Sequence, residues 1–334
     1  MTVPYTKPWL SLADQIALMT SRGMTVANHA DAEQCLSNIG YYRLSGYWYP
    51  YRDVLPVPTT DPAALPAQAI SDDFRAGTSL QQVLDLYEFD RTLKLLVLDA
   101  IERIEIAVRV KVGYVLGRRD RFAHLNRAHL DGRFTTPGPN RTPSTYDKWL
   151  TRMNGAQSQS KEDFIGHFAK YGGRLPVWVV TEILDFGALS YLYEGMKSVD
   201  RNEVANEFGV RDANGAGHGR MLANWMRVIN YVRNICAHHS RLWNRNMTVQ
   251  LRSNLLRSVP TLTHVHSGSP NTTSRIYGAL CVLQHLLDAI HPGTTWASDL
   301  RRHINTGLAG VGNDQSQMGF PTGWETETLW QSGP

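Results

Sequence analysis

LQQVLDLYEFDRTLKLLVLDAIERIEIAVRVKVGYVL, residues 80 to 116, decides the fold class. Apolar residues recur there at spacings of three and four, as Leu80, Val83, Leu84, Tyr87, Leu93, Val97, Ile101, Ile104 and Val108. That period predicts an amphipathic helix of many turns. Glu102, Arg103, Glu105 and Arg109 cluster in its second half, and the run Gly117 to Arg121 closes it. Charges so spaced read first as an ion-pair ladder within or between helices. The other readings are that they reach an active cleft and orient His238, or make a buried polar contact to the arginine-rich segment further along the chain.

Upstream, Ser11 to Arg22 opens on an N-cap serine and is followed by Gly23, suited to the C′ position. A second helix is expected over Asp31 to Ile39. YYRLSGYWYPYR, Tyr41 to Arg52, then places six Tyr or Trp residues in twelve positions. Pro56, Pro58, Pro62 and Pro66 predict a loop. Downstream, Asp131 to Ser144 is rich in Pro, Gly and Thr and reads as loop. Helices are expected over Tyr146–Met153, Lys161–Tyr171, Val177–Met196, Asp200–Phe208, Gly219–Asn244, Ser274–His291 and Trp296–Asn305. The VWVV run at Val177 and the segment Thr261 to His266 come nearest to strands, and both are short. The expected architecture is all-α: residues 1–75 as a helical, aromatic appendage with the Pro-rich loop, 76–306 as a helical bundle, and 307–334 as a Gly-rich, loosely held tail.

Composition narrows the classes. The chain has 334 residues with 42% apolar and only 19% charged side chains, which excludes a disordered polyelectrolyte and allows a packed core. The formal charge is only +4, but it is uneven. Arg220, Arg227, Arg233, Arg241, Arg245, Arg252 and Arg257 fall in one stretch without a single Asp or Glu. Cys35, Cys236 and Cys281 are odd in number and far apart, so neither a disulfide framework nor a thiolate zinc site is supported. Reduced thiols, and a first segment MTVPYTKPWL unlike a signal peptide, predict a soluble cytoplasmic protein with no membrane partner.

The chemistry-bearing stretch is NYVRNICAHHSRLWNR, Asn230 to Arg245. Within it the candidate catalytic residues Arg233, Asn234 and His238 form R-N-x-x-x-H. On a regular helix Asn234 and His238 lie about 40° apart and share a face, whereas Arg233 and His238 are separated by about 140°. One straight helix therefore does not aim both at one atom. Arg's length, a local distortion or a second copy of the segment must close the gap. Imidazole moves protons near neutral pH and guanidinium grips phosphate oxygens. Together they suit RNA transesterification by the 2′-OH, with no carboxylate within the segment to hold magnesium. His239, Arg241, Asn244, Arg245 and, in the aromatic cluster, Arg43 are candidate RNA contacts. The aromatic cluster could stack bases, but packing of the appendage onto the bundle is the preferred reading. His239 either supports His238 or hydrogen-bonds within its helix. His264 and His266 in HVH read as loop residues rather than metal ligands, and no metal or cofactor is expected.

Four stretches in order, YYRLSGYWYPYR, YEFDRTLKLLVLDAIERIEIAVR from Tyr87, PVWVVTEILDFGALSYLYEGM from Pro176 and RNICAHHSRLWNR from Arg233, resemble the Abi-like (AbiD/AbiF type) abortive-infection proteins. The resemblance spans about Lys7 to Asn246. It implies a helical HEPN-type bundle, with Arg233 and His238 as catalytic residues of a metal-independent endoribonuclease in phage defence or a toxin–antitoxin pair. It also implies a homodimer that brings two such motifs together, and an RNA or protein antitoxin. Two rivals stay open: a catalytically silent HEPN module holding RNA or a regulator, and a sensor of phage components.

Overall fold

A computed structural model describes residues 4–56, 68–139, 142–309 and 311–331. Pro58, Pro62 and Pro66 of the expected loop lie outside the described residues. The chain divides into two compact units, Met1–Thr92 with His303–Asp314, and Leu93–Arg302 with Gln315–Pro334. The all-α expectation holds: the described residues are predominantly helical, with one small two-stranded sheet.

The first unit holds α1 (Leu12–Ser21), α2 (His29–Ile39) and α3 (Tyr41–Trp48), then β1 (Arg52–Pro56) and β2 (Gln68–Phe74), and the start of α4 (Leu80–Arg119). Ser11 caps α1 through a reciprocal bond with Asp14, and Gly23 follows its end with φ 94°. The hairpin was not legible in the sequence. It is antiparallel, pairs Arg52 with Phe74 and Val54 with Ile70 around a bulge, and leaves Val54 and Leu55 half exposed, so no buried face imposes a period-two pattern. Asp72 ties it down by accepting from Arg22 and Arg52, each at 3.0 Å.

The aromatic cluster splits by role. Tyr47, Trp48 and Tyr51 are buried. The Tyr47 hydroxyl donates to Asp90 at 2.7 Å, and that of Tyr51 donates to the Val311 carbonyl at 2.6 Å. Burial pushes the Tyr51 phenol up to about 12. Tyr42 and Arg43 face solvent.

In the second unit α4 continues from Leu93 with one dry seam, Leu93, Val97, Ile101, Ile104, Val108 and Val112, none more than 1% exposed. Its 40 residues span about 60 Å. There follow α5 (Gly132–Thr135), α6 (Thr145–Gln159), α7 (Asp163–His167), α8 (Val177–Ile183), α9 (Phe186–Gly195), α10 (Ser198–Glu207) and α11 (Gly219–Ala237). Beyond these lie α12 (Ser253–Leu256), α13 (Thr263–Ser267), α14 (Asn271–Ser274), α15 (Ile276–Ile290) and α16 (Trp296–Gly307), whose residues from His303 belong to the first unit. α11 packs on α9, α10 and α15.

Further elements differ from the sequence reading, among them α5, which forms within the stretch from Asp131 read as loop. Val177–Met196 is two helices, because Leu184 turns extended and Asp185 caps α9 by accepting the Ala188 N–H at 2.8 Å. VWVV opens α8, as the helix expected from Val177 requires, whereas in the other strand-like run the residues from Thr263 form α13. The segment from Gln315 differs from the loose tail that its glycine content suggests. Its Phe320, Trp324 and Trp330 are buried, and Trp330 Nε1 donates to the Tyr277 hydroxyl at 3.3 Å. Aromatic area outweighs the chain entropy of the glycines here.

Two glycines fix how closely helices approach. A Cβ on Gly113 would sit 3.1 Å from the Trp178 Cα, and one on Gly117 would sit 3.0 Å from the Trp178 ring. Their absence lets α8 lie against α4, which sets the Leu184 carbonyl beside the polar part of α4.

Burial also places two histidines where protonation opposes folding. His124, edge-on to Trp149, and His285, edge-on to Trp225, are both held down to about 4 by desolvation. Their folded affinity for protons is below the unfolded value, so stability is full above about pH 6.5 and falls as pH drops toward 4. Each contributes a slope of at most about 1.4 kcal/mol per pH unit. Urea midpoints measured from pH 7 to 4.5 should fall for the wild type. His285→Gln should fall less steeply over that window, with an undiminished slope counting against this linkage.

Candidate nucleic-acid site at the end of the arginine helix

α11 forms because its apolar residues, Met221, Leu222, Trp225, Met226, Ile229, Val232 and Cys236, repeat on one face and are buried. His218 caps its start, its Nδ1 accepting the Met221 N–H at 3.2 Å. The helix ends at Ala237, seven residues before the expected Asn244. His238 is the C-cap, and His239 takes φ 55°, the one described non-glycine residue with positive φ. The Ser240 N–H bonds the Ile235 carbonyl and the His239 N–H bonds the Cys236 carbonyl, each at 3.0 Å. This is a Schellman closure with histidine at the position where glycine is usual. The reversal brings Leu242 and Trp243 into the core, both fully buried. Burial of a tryptophan explains why the chain tolerates a backbone state that costs about 1–2 kcal/mol.

The side chains of the motif then diverge. His238 and Asn234 are exposed. Arg233 is half-buried and lines a groove with Leu98, Ile101, Glu102, Glu105, Ile106 and Arg109 of α4. Glu105 accepts from Arg109 at 2.5 Å, and Arg109 also donates to the Leu184 carbonyl at 2.9 Å. Burial raises the Glu105 carboxyl above the usual carboxylate range, while Arg109 and Arg233 pull it down. The acid-free arginine segment therefore meets its counter-charge on α4, and again on α9, where Glu194 pairs with Arg227. Of the α4 charges, Arg103 forms a within-helix pair with Asp99 at 2.9 Å.

The remaining candidates are scattered. Arg245 is half-buried, with Nε donating to the Tyr231 hydroxyl at 3.4 Å. Asn244 is half-buried, and its backbone carbonyl accepts from Arg275. Arg241 is half-buried, and His239 is exposed at the helix end. Arg43 is exposed on α3, in the first unit. His264 and His266 lie on α13; His264 is 3.6 Å from Cys281 and 3.6 Å from Glu327, neighbours that sequence spacing could not reveal. Among the described residues no group of three or more His, Cys, Asp or Glu is arranged to hold a metal ion.

A family model for Abi-like proteins matches residues 34–244. The chain belongs to the Abi-like family. The match runs from within α2 to the residue after Trp243, so it takes in α3, α4, α9 and the whole R-N-x-x-x-H motif. Membership in the Abi-like family associates the chain with abortive infection, a phage-defence response. No curated protein and no solved structure matches the chain. No helix of the described residues is long and apolar enough to cross a membrane.

The left-handed His239 gives this site a measurable signature. His239→Gly should keep stability within about 1 kcal/mol of wild type, whereas His239→Val should lose about 1–2 kcal/mol by chemical denaturation. Equal stability of the two variants would show that residue 239 is not held at positive φ in solution.

Proposed function

We propose that this Abi-like protein is a metal-independent endoribonuclease of HEPN type, acting as the toxic effector of a phage-defence or toxin–antitoxin pair in the cytoplasm. The observation that carries this reading is the end of α11, where an exposed imidazole at His238 and an exposed amide at Asn234 follow Arg233 in a segment without carboxylates.

In the reaction, one His238 takes the proton of an RNA 2′-hydroxyl. That oxygen attacks the adjacent phosphorus, and the bond from phosphorus to the 5′-oxygen breaks. The leaving oxygen gains a proton from a second imidazolium, which leaves a 2′,3′-cyclic phosphate and a 5′-hydroxyl. Arg233 stabilises the added negative charge on the two non-bridging oxygens, for which a planar guanidinium fork is matched. Asn234 holds the strand by hydrogen bonds, with His239, Arg241, Asn244, Arg245 and Arg43 as supplementary contacts.

Within one chain Arg233 turns to the α4 groove and His238 to solvent. A homodimer would supply the second imidazole and a guanidinium from the facing copy. An RNA or protein antitoxin would act by covering this surface. The same divergence also favours a second reading, a HEPN module that holds RNA without turnover.

Purified protein should cut single-stranded RNA in the presence of EDTA, and His238→Ala should abolish cutting while leaving the circular dichroism spectrum unchanged. Arg233→Lys should be nearly as inactive as Arg233→Ala, because the charge without the fork does not match two oxygens. Wild-type turnover in a folded His238→Ala protein would exclude the mechanism. Light scattering at concentrations that cut RNA should report a dimer; a monomer there would exclude the homodimer.

A further inference from the structure

A second basic site lies further back on α11. Arg220 and Arg227 of that helix, Arg133 of α5, Arg201 of α10 and Arg252 just before α12 line one open cavity of about 530 Å³. Its two carboxylates are already engaged. Arg201, with a side chain only 14% exposed, donates to Asp131 at 3.3 Å and to the Glu194 carbonyl. Arg227 pairs with the Glu194 side chain. Arg133, Arg220 and Arg252 have no ion-pair partner among the described residues. Like charges gathered around one cavity repel, and an anion placed between them relieves that repulsion.

The same wall carries an aromatic face. Tyr191 of α9 is 48% exposed and lines the cavity. Guanidinium forks beside an accessible ring suit a phosphate with its base, since the ring stacks any nucleobase while the forks hold phosphate oxygens. An acidic peptide would answer the charge and leave the ring unused.

Helix geometry connects this cavity to the motif. Arg220, Arg227, Tyr231, Asn234 and His238 fall within about 40° of one line along α11. From Arg227 to His238 the rise is about 16 Å. The geometry points to the cavity as a subsite for a nucleotide of the RNA strand several positions away from the bond cut at His238, its phosphate among Arg133, Arg220 and Arg252 and its base on Tyr191. This inference rests on the ribonuclease reading for the identity of the strand, but its recognition chemistry is separate from turnover.

The test therefore measures binding rather than cleavage. A labelled single-stranded 12-mer RNA is titrated into full-length His238→Ala protein by fluorescence anisotropy at several salt concentrations. Adding Arg133→Gln, Arg220→Gln and Arg252→Gln together should weaken binding about tenfold or more at low salt and reduce the slope of log affinity against log salt by about 0.7, the share of the one phosphate they hold. Tyr191→Ala should weaken binding without changing that slope. A charge-matched control, Arg91→Gln with Lys161→Gln and Lys170→Gln, should leave affinity within about twofold, since unfocused surface charge is screened. Unchanged affinity and slope in the triple arginine variant would overturn the subsite. So would binding of a free nucleoside 5′-monophosphate as tight as that of the 12-mer, since the cavity would then serve a small molecule. Loss of strand binding in the triple variant supports the subsite even if the wild-type chain leaves RNA uncut, whereas retained cleavage with unchanged binding removes the subsite and spares the ribonuclease reading.

Discussion

The half-buried Glu105 carboxylate, hydrogen-bonded by Arg109 on its own helix and acted on by the charge of Arg233 across the groove, is the interaction on which the second unit turns. Taking a carboxylate out of water is expensive, and its raised proton affinity records that expense. Two guanidiniums offset it. Arg109 in turn is fixed by the Leu184 carbonyl, which stands at the break between α8 and α9. On α8, ahead of that break, Trp178 lies against Gly113 and Gly117. Contacts thus run from two absent methyl groups on α4 through Trp178 and the Leu184 carbonyl back to Arg109 and Glu105, in the groove that Arg233 also lines.

Charge is distributed by the same logic elsewhere on α11. A helix with arginines and no acids takes its counter-charges from neighbouring elements, for half-buried Arg233 as for exposed Arg227. The acids come from other elements: Glu105 from α4 toward Arg233, Glu194 from α9 to Arg227, and Asp131 ahead of α5 to Arg201 beside them. Positive charge left over after this matching faces solvent along one side of the helix, where a phosphate backbone can reach it. The acid-free composition of the segment and the acids of its neighbours are two halves of one arrangement.

The end of α11 shows how packing sets a site. Nothing in AHHSRLW is a strong helix breaker, and local propensity would carry the helix further. It stops at His238 because Leu242 and Trp243 reach the core only if the chain reverses at His239. The reversal leaves His238 exposed at the helix terminus and separates it from Arg233. A continuous helix through Asn244 would have placed Leu242 and Trp243 elsewhere on its surface.

The sequence by itself determined the helical class, the long α4 seam with its three-and-four spacing, the cap of α1, and the R-N-x-x-x-H motif with its acid-free surroundings. These are local properties, carried by period, capping residues and composition. It did not disclose the β1–β2 hairpin, whose two half-exposed strands have no face to pattern. Nor did it disclose the break before α9, the packed Trp324 and Trp330, or the left-handed His239. The cavity that gathers Arg133, Arg201, Arg220, Arg227 and Arg252 draws on residues up to 119 positions apart. Each of these was decided by tertiary structure, because burial of large aromatic side chains and the matching of charges between distant helices outweigh the local preferences of the residues that must bend to allow them.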